Sequence, residues 1–147
     1  MWLLMSVPLL RKIVVAVDGS EPSLKAVGFA SQLAKQTGST LQILNVILLP
    51  AYASPPTLEN LRAELSKKSA QILEKSEALA KTVNVETDTK VVETTQSVVE
   101  TIVEHSDREK ADLIVLGSRG TTMGRLMLGS IAAGTANLAH HPVLVVR

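Results

Sequence analysis

KIVVAVDGSEPS, residues 12–23, begins with an aliphatic run from Ile13 to Val17 and breaks at Asp18-Gly19. A run with no polar alternation has no face to offer water, so it reads as a strand buried on both sides. The residues after the break start a helix. Ser20 or Asp18 can cap it, and Glu21 and Pro22 suit its first turn. Leu24, Val27, Ala30 and Ala34 then recur at helical spacing until Gly38 stops the pattern. A doubly buried strand leading straight into an amphipathic helix is the opening unit of a parallel α/β sheet.

The rest of the chain repeats the alternation. TLQILNVILL (40–49) is a second buried strand, followed by a proline loop from Pro50 to Pro56. Leu58, Leu61, Leu65, Ile72 and Leu79 mark a long helix over 58–82. VNVETDTKV (83–91) alternates apolar and polar residues and reads as a strand with one wet face. Ser97 and Glu100 form a capping box for a short helix. Asp112 to Leu116 is another buried strand, and a helix over 131–140 ends before Pro142. Val143 to Val146 is the last strand. This order implies a single-domain open parallel five-stranded sheet with helices on both faces. The alternating strand belongs at an edge, which the flavodoxin-like order 3-2-1-4-5 provides. Residues 1–11 form an N-terminal leader and residues 12–147 the domain. Strand five is then an exposed apolar edge, and pairing with a second copy through Val143, Leu144, Val145 and Val146 would cover it.

Composition narrows the function. Of the 147 residues 46% are hydrophobic and only Trp2, Phe29 and Tyr52 are aromatic, so the core is aliphatic. A net charge of +1 gives no basic footprint for nucleic acid. The absence of cysteine removes disulfides and thiolate chemistry and suits the cytoplasm. MWLLMSVPLLRK lacks a preceding positive charge and a cleavage site, and its apolar run is too short to span a bilayer. No membrane partner is expected.

GSRGTTMGRLMLGS, residues 117–130, holds four of the eight glycines. In the strand order 3-2-1-4-5 it leaves strand four beside the end of strand one, where the order reverses and ligands of open α/β sheets bind. Glycines let backbone N–H groups approach a phosphate, and the helix opened by Gly129-Ser130 adds positive potential. Residues 113–147 contain Arg119, Arg125 and Arg147 and no acidic side chain. A flexible turn explains the glycines but neither their place nor the missing acids.

Three segments together resemble the universal stress protein family: Val17-Asp18-Gly19-Ser20-Glu21-Pro22-Ser23, Ala111 to Gly117, and Gly129-Ser130 with His141 to Val146. The resemblance runs from Lys12 to the end. It implies an adenine nucleotide alpha hydrolase-like fold, a cytoplasmic homodimer through the last strand and, in one branch, bound ATP. That branch spaces its glycines Gly, two residues, Gly, nine residues, Gly, then Ser or Thr. Gly117, Gly120, Gly129 and Ser130 keep the pattern with eight residues in the second gap. The shorter loop leaves ADP or AMP as alternatives to ATP. By resemblance, Asp18 beside Val17 contacts ribose, and main chain near Ala16 and Val46 holds adenine. Gly117, Arg119, Gly120, Gly129 and Ser130 surround the phosphates, with Mg²⁺ or Mn²⁺ carried by the nucleotide. Ser118, which a turn alone would also explain, and Ile131 are further cofactor-binding candidates. Tyr52 is a further candidate for the adenine pocket.

The stretch is neither a Walker A loop nor a dinucleotide fingerprint. His105, His140 and His141 show no metal spacing, and no catalytic triad or carboxylate pair is present. The readings are therefore an adenine-nucleotide-binding stress-response regulator, a slow ATPase or phosphotransferase, or a nucleotide-free dimeric interaction module.

Overall fold

A computed structural model describes residues 9–118 and 128–147. Its elements are β1 (Lys12–Ala16), α1 (Glu21–Thr37), β2 (Thr40–Leu48), α2 (Pro55–Lys81), β3 (Thr87–Thr94), α3 (Val98–Arg108), β4 (Leu113–Gly117), α4 (Ser130–Leu138) and β5 (Val143–Val146). The strands pair in parallel in the order β3-β2-β1-β4-β5, as expected. Of the leader, residues 1–8 lie outside the described residues. Leu10 packs against the core, and the backbone N–H groups of Arg11 and Lys12 donate to Asp112 Oδ2 at 2.8 and 3.0 Å.

The unbroken aliphatic strands serve two cores. Ile13, Val15, Leu41, Ile43 and Val115 face α1 and α2, where Ala26, Val27, Ala30, Ala34 and Leu73 meet them. Val14, Ala16, Leu44, Ile114 and Leu116 face α3 and α4, meeting Ile102 and Ile131. Burying one such side chain stabilises the fold by roughly 1.5–3 kcal/mol.

Local chemistry sets the boundaries. Ser20 is the N-cap of α1 and accepts from the Ser23 N–H at 3.3 Å, while Asp18 Oδ1 accepts from the Ser20 N–H at 2.9 Å. Gly38 ends α1 at φ 72°. Ser97 caps α3 by accepting from the Glu100 N–H at 3.1 Å. Three expectations shift. Pro55 and Pro56 open α2 instead of closing the loop, since the first helical turn has no use for their missing N–H groups. α4 runs Ser130–Leu138, so His140 and His141 fall in the turn before β5, where His141 Nε2 lies 3.4 Å from Asp107 Oδ1. β3 begins at Thr87 rather than residue 83. Asn84 takes a left-handed φ of 59°, and Val85 folds back under α2, donating its N–H to the Ala80 carbonyl. The wet-face alternation also slips within β3: Thr87 and Thr89 are half-buried, then Val92 and Thr94.

At the amino ends of the strands a polar network replaces apolar packing. Gln42, fully buried on β2, donates from Nε2 to Asp88 and to Glu109, each at 2.8 Å. Its Oε1 can only accept, so the buried His105 carries its proton on Nε2 and donates to it at 2.5 Å. Lys12 Nζ lies 2.9 Å from Glu109 Oε1. Hydrogen bonds from Lys12 and then Gln42 hold the Glu109 carboxyl at about 2, well below its ordinary range. Burial lowers the His105 imidazole below 6.5. The network joins β1, β2, β3 and α3 at the end of the sheet opposite the strand exits.

Candidate functional site

A cavity of about 300 Å³ opens at the carboxyl ends of the strands, beyond the last β1–β4 rung at Ala16↔Leu116. This is near the lower limit for ligand pockets, and its place is the topological switch point. Ala16, Val17 and Asp18 enter it from the end of β1, Val46 from β2, Gly117 from the end of β4, and Gly129 and Ile131 from the start of α4. The fold therefore brings these seven sequence-predicted residues to one cavity.

The remaining predicted residues sort differently. Arg119 and Gly120, and Arg125 with them, lie outside the described residues, as does most of the glycine stretch. Ser118 is buried, and its N–H donates to the Val146 carbonyl at 2.8 Å, continuing the β4–β5 ladder away from the cavity. Ser130 starts α4 with its side chain exposed and outside the lining. Tyr52 is fully exposed and does not line the cavity.

Reading the sequence missed the walls. Leu44 and Leu48 share the inner face of β2 with Val46, a period of two that would have indicated them. Val98 and Ile102, an i,i+4 pair on α3, close the far side with Leu116 and Ala132. Ser20 and Ser23 bring the first turn of α1 to the rim. A slot with these aliphatic walls suits a flat apolar ring, and its rim is polar.

Main-chain groups supply that polarity. The N-cap of α4 is Gly129, which has no side chain to accept from the first-turn N–H groups; among the described residues no other side chain does so, and the first helical bond runs from Ala133 to Gly129 at 2.9 Å. The open end of the α4 dipole thus borders the cavity, where an anion gains about 0.3–1 kcal/mol. Opposite it, β1 pairs with β2 only as far as Ala16↔Leu44, whereas β2 continues against β3 to Leu48↔Thr94. Even-numbered residues of β2 turn their peptide groups toward β1: Thr40 N–H donates to Arg11 and Leu44 O accepts from Val17. By the same parity the Val46 peptide groups face the crevice beyond the end of β1. At the mouth, Gly19 turns the chain at φ 85°, with Ile72 packed where a Cβ would stand, and Asp18 is exposed there.

Comparison with known proteins places this architecture. Residues 10–147 match the model of the universal stress protein family. The chain belongs to that family. A universal stress protein of Methanocaldococcus jannaschii is 35% identical over 143 residues, covering 95% of this chain and 83% of its own length. A solved universal stress protein from Lactobacillus plantarum is similar at a TM-score of 0.78 and 27% identity, covering 94% of this chain and 98% of that one. A universal stress protein solved in complex with cAMP is 30% identical with a TM-score of 0.68, covering 94% of this chain and 97% of that one. The family resemblance carried by Val17–Ser23 and the later segments is thus membership, and the strand order agrees with it.

Proposed function

We propose that this universal stress protein binds an adenine nucleotide in the cavity and acts as a cytoplasmic stress-response regulator. In this reading it is a homodimer joined through β5. The observation that carries the reading is the pairing of two main-chain features across one apolar slot. The amino end of α4, whose N-cap is a glycine, suits a phosphate, and the Val46 edge of β2, which among the described residues lies beyond the last β1 rung, suits the donor and acceptor of a base. The cAMP complex of a relative with 30% identity supports an adenine ligand. ATP, ADP and AMP are the candidates, with Mg²⁺ or Mn²⁺ carried by the phosphates, Arg119 and Gly120 beside them and Asp18 at the ribose. Among the described residues each residue of β5 is half-buried with β4 on one side only, which favours a second copy along the other edge. Among the described residues no helix is long and apolar enough to cross a membrane.

Calorimetry of the purified protein with ATP, ADP and AMP tests the proposal. Saturable heat and a raised melting temperature are expected from at least one of them. No heat and no thermal shift at millimolar nucleotide would leave the nucleotide-free interaction module, the reading that the shortened glycine spacing favours. Steady phosphate release from ATP, abolished by Asp18→Ala, would move the protein to the slow ATPase class.

A further inference from the structure

Asn45 is a polar residue in the middle of an aliphatic strand and is almost fully buried. Its Nδ2 donates to the Val17 carbonyl at 2.7 Å, one residue beyond the end of β1. In a regular parallel ladder the register Ala16↔Leu44, together with the bond from Val17 N–H to Leu44 O at 2.8 Å, assigns that carbonyl to the Val46 N–H. The amide of Asn45 holds the carbonyl instead. The same peptide unit is held at its other end, where the Asp18 N–H faces Ser23 Oγ at 3.4 Å. Ser23 Oγ in turn donates to the Ser20 carbonyl at 2.9 Å, so the clamp is tied to the first turn of α1. Asn45 lies on the α1 and α2 side of the sheet, the side opposite the cavity, since it alternates with Leu44 and Val46.

We propose that Asn45 is the positioning residue of the nucleotide site. By occupying the Val17 carbonyl it stops β1 and β2 from zipping one rung further, keeps the Val46 N–H for the ligand's base, and fixes the peptide that carries Asp18. This role rests on the proposed nucleotide binding and adds the device that keeps the base-reading edge open. Asn45 itself touches no ligand. Without its amide, the Val17 carbonyl takes the Val46 N–H, the ladder gains a bond, and the edge closes.

The variant Asn45→Val separates this from a role in stability, because valine suits a buried strand and the added rung replaces the lost hydrogen bond. Titrations compare AMP with ribose 5-phosphate, which lacks the base. The expected result is a loss of about tenfold or more in AMP affinity, the worth of one good hydrogen bond, with ribose 5-phosphate held within about twofold. In the unliganded variant the Val46 amide should become protected from hydrogen exchange, a change that a merely structural role would not produce. Equal losses for both ligands, or no loss for either, overturn the proposal. Should Asn45→Val fail to fold, the wild-type protein still decides: the Val46 amide resonance must shift with AMP and not with ribose 5-phosphate, and an unmoved resonance at saturating AMP refutes the role. A wild-type protein that binds ribose 5-phosphate but gains nothing from the base overturns this inference alone. One that binds neither removes the nucleotide reading as well.

Discussion

A Cβ placed on Gly117 would stand 2.4 Å from the carbonyl of Pro22, so β4 and the first turn of α1 meet backbone to backbone. Neither partner is the end of a flexible side chain. Gly117→Ala must therefore push α1 away from the sheet, at a cost of about 2 kcal/mol or more. A drop of several degrees in melting temperature is expected, and an unchanged melting temperature would refute the close approach. Glycine at 117 serves helix packing whatever else it does for a phosphate.

Gly28 is the contrasting case. It sits inside α1, and a Cβ there meets nothing within 4 Å. Gly28→Ala should stabilise the protein by roughly 0.5–1 kcal/mol, since glycine in a helix interior loses more backbone freedom on folding than alanine. Thermal melts of the two glycine variants side by side should move in opposite directions.

Gly129→Val is expected to divide binding from folding. The N-cap has φ −63° and ψ 159°, a conformation open to any residue, so no left-handed strain arises. Gly129 itself lines the cavity, so the substitution adds bulk at its wall. Nucleotide affinity should fall about tenfold or more while stability changes by about 1 kcal/mol or less. A loss confined to stability would mean that Gly129 serves only the fold.

Stability should fall in two stages with acid. The unfolded chain protonates histidine near its ordinary 6.5, whereas burial keeps folded His105 neutral to lower pH. Protons therefore favour the unfolded state as pH drops below 6.5 and continue to do so down to the folded value. Glu109 acts in a lower window, its contribution present above 4.5 and lost as pH falls toward about 2. Melting curves across this range should show both declines. His105→Gln keeps a donor for Gln42 and should flatten the upper one, and Glu109→Gln should flatten the lower one. A wild-type melting temperature unchanged between about pH 7 and 5 would contradict the neutral buried imidazole.

Val145→Lys tests the proposed dimer. A charge on β5 opposes pairing with a second copy, so monomers are expected in sedimentation. An unchanged sedimentation profile would refute association through this edge.

The sequence was most legible where one residue type dominated. The run from Ile13 to Val17, the spacing from Leu24 to Ala34 and the stop at Gly38 required only periodicity and capping rules. Those elements lead to the strand order and the position of the crevice, and with them the place of Ala16, Asp18 and Val46. β3 was misplaced because Val83 and Val85 alternate as a strand does, while Asn84 adopts a conformation that alternation cannot register. Gln42 and Asn45 were absorbed into an aliphatic run. Both are hubs whose partners lie far away in sequence: His105 and Glu109 for one, Val17 for the other. A single buried amide leaves no periodic trace, and only the folded chain shows what it binds. Ser118 is a case of the opposite kind: it lies within the glycine stretch, yet its main-chain N–H belongs to the sheet.

The described walls of the cavity contain no aromatic ring. A purine held there, as proposed, would be pressed by Leu44, Val46, Ile102 and Ile131 without any overlap of π-systems. Optically the slot then behaves as a hydrocarbon solvent. The ultraviolet band of a bound nucleotide should keep its intensity instead of showing stacking hypochromism, and a fluorescent adenine analogue should brighten on leaving water, with no neighbouring ring to quench it.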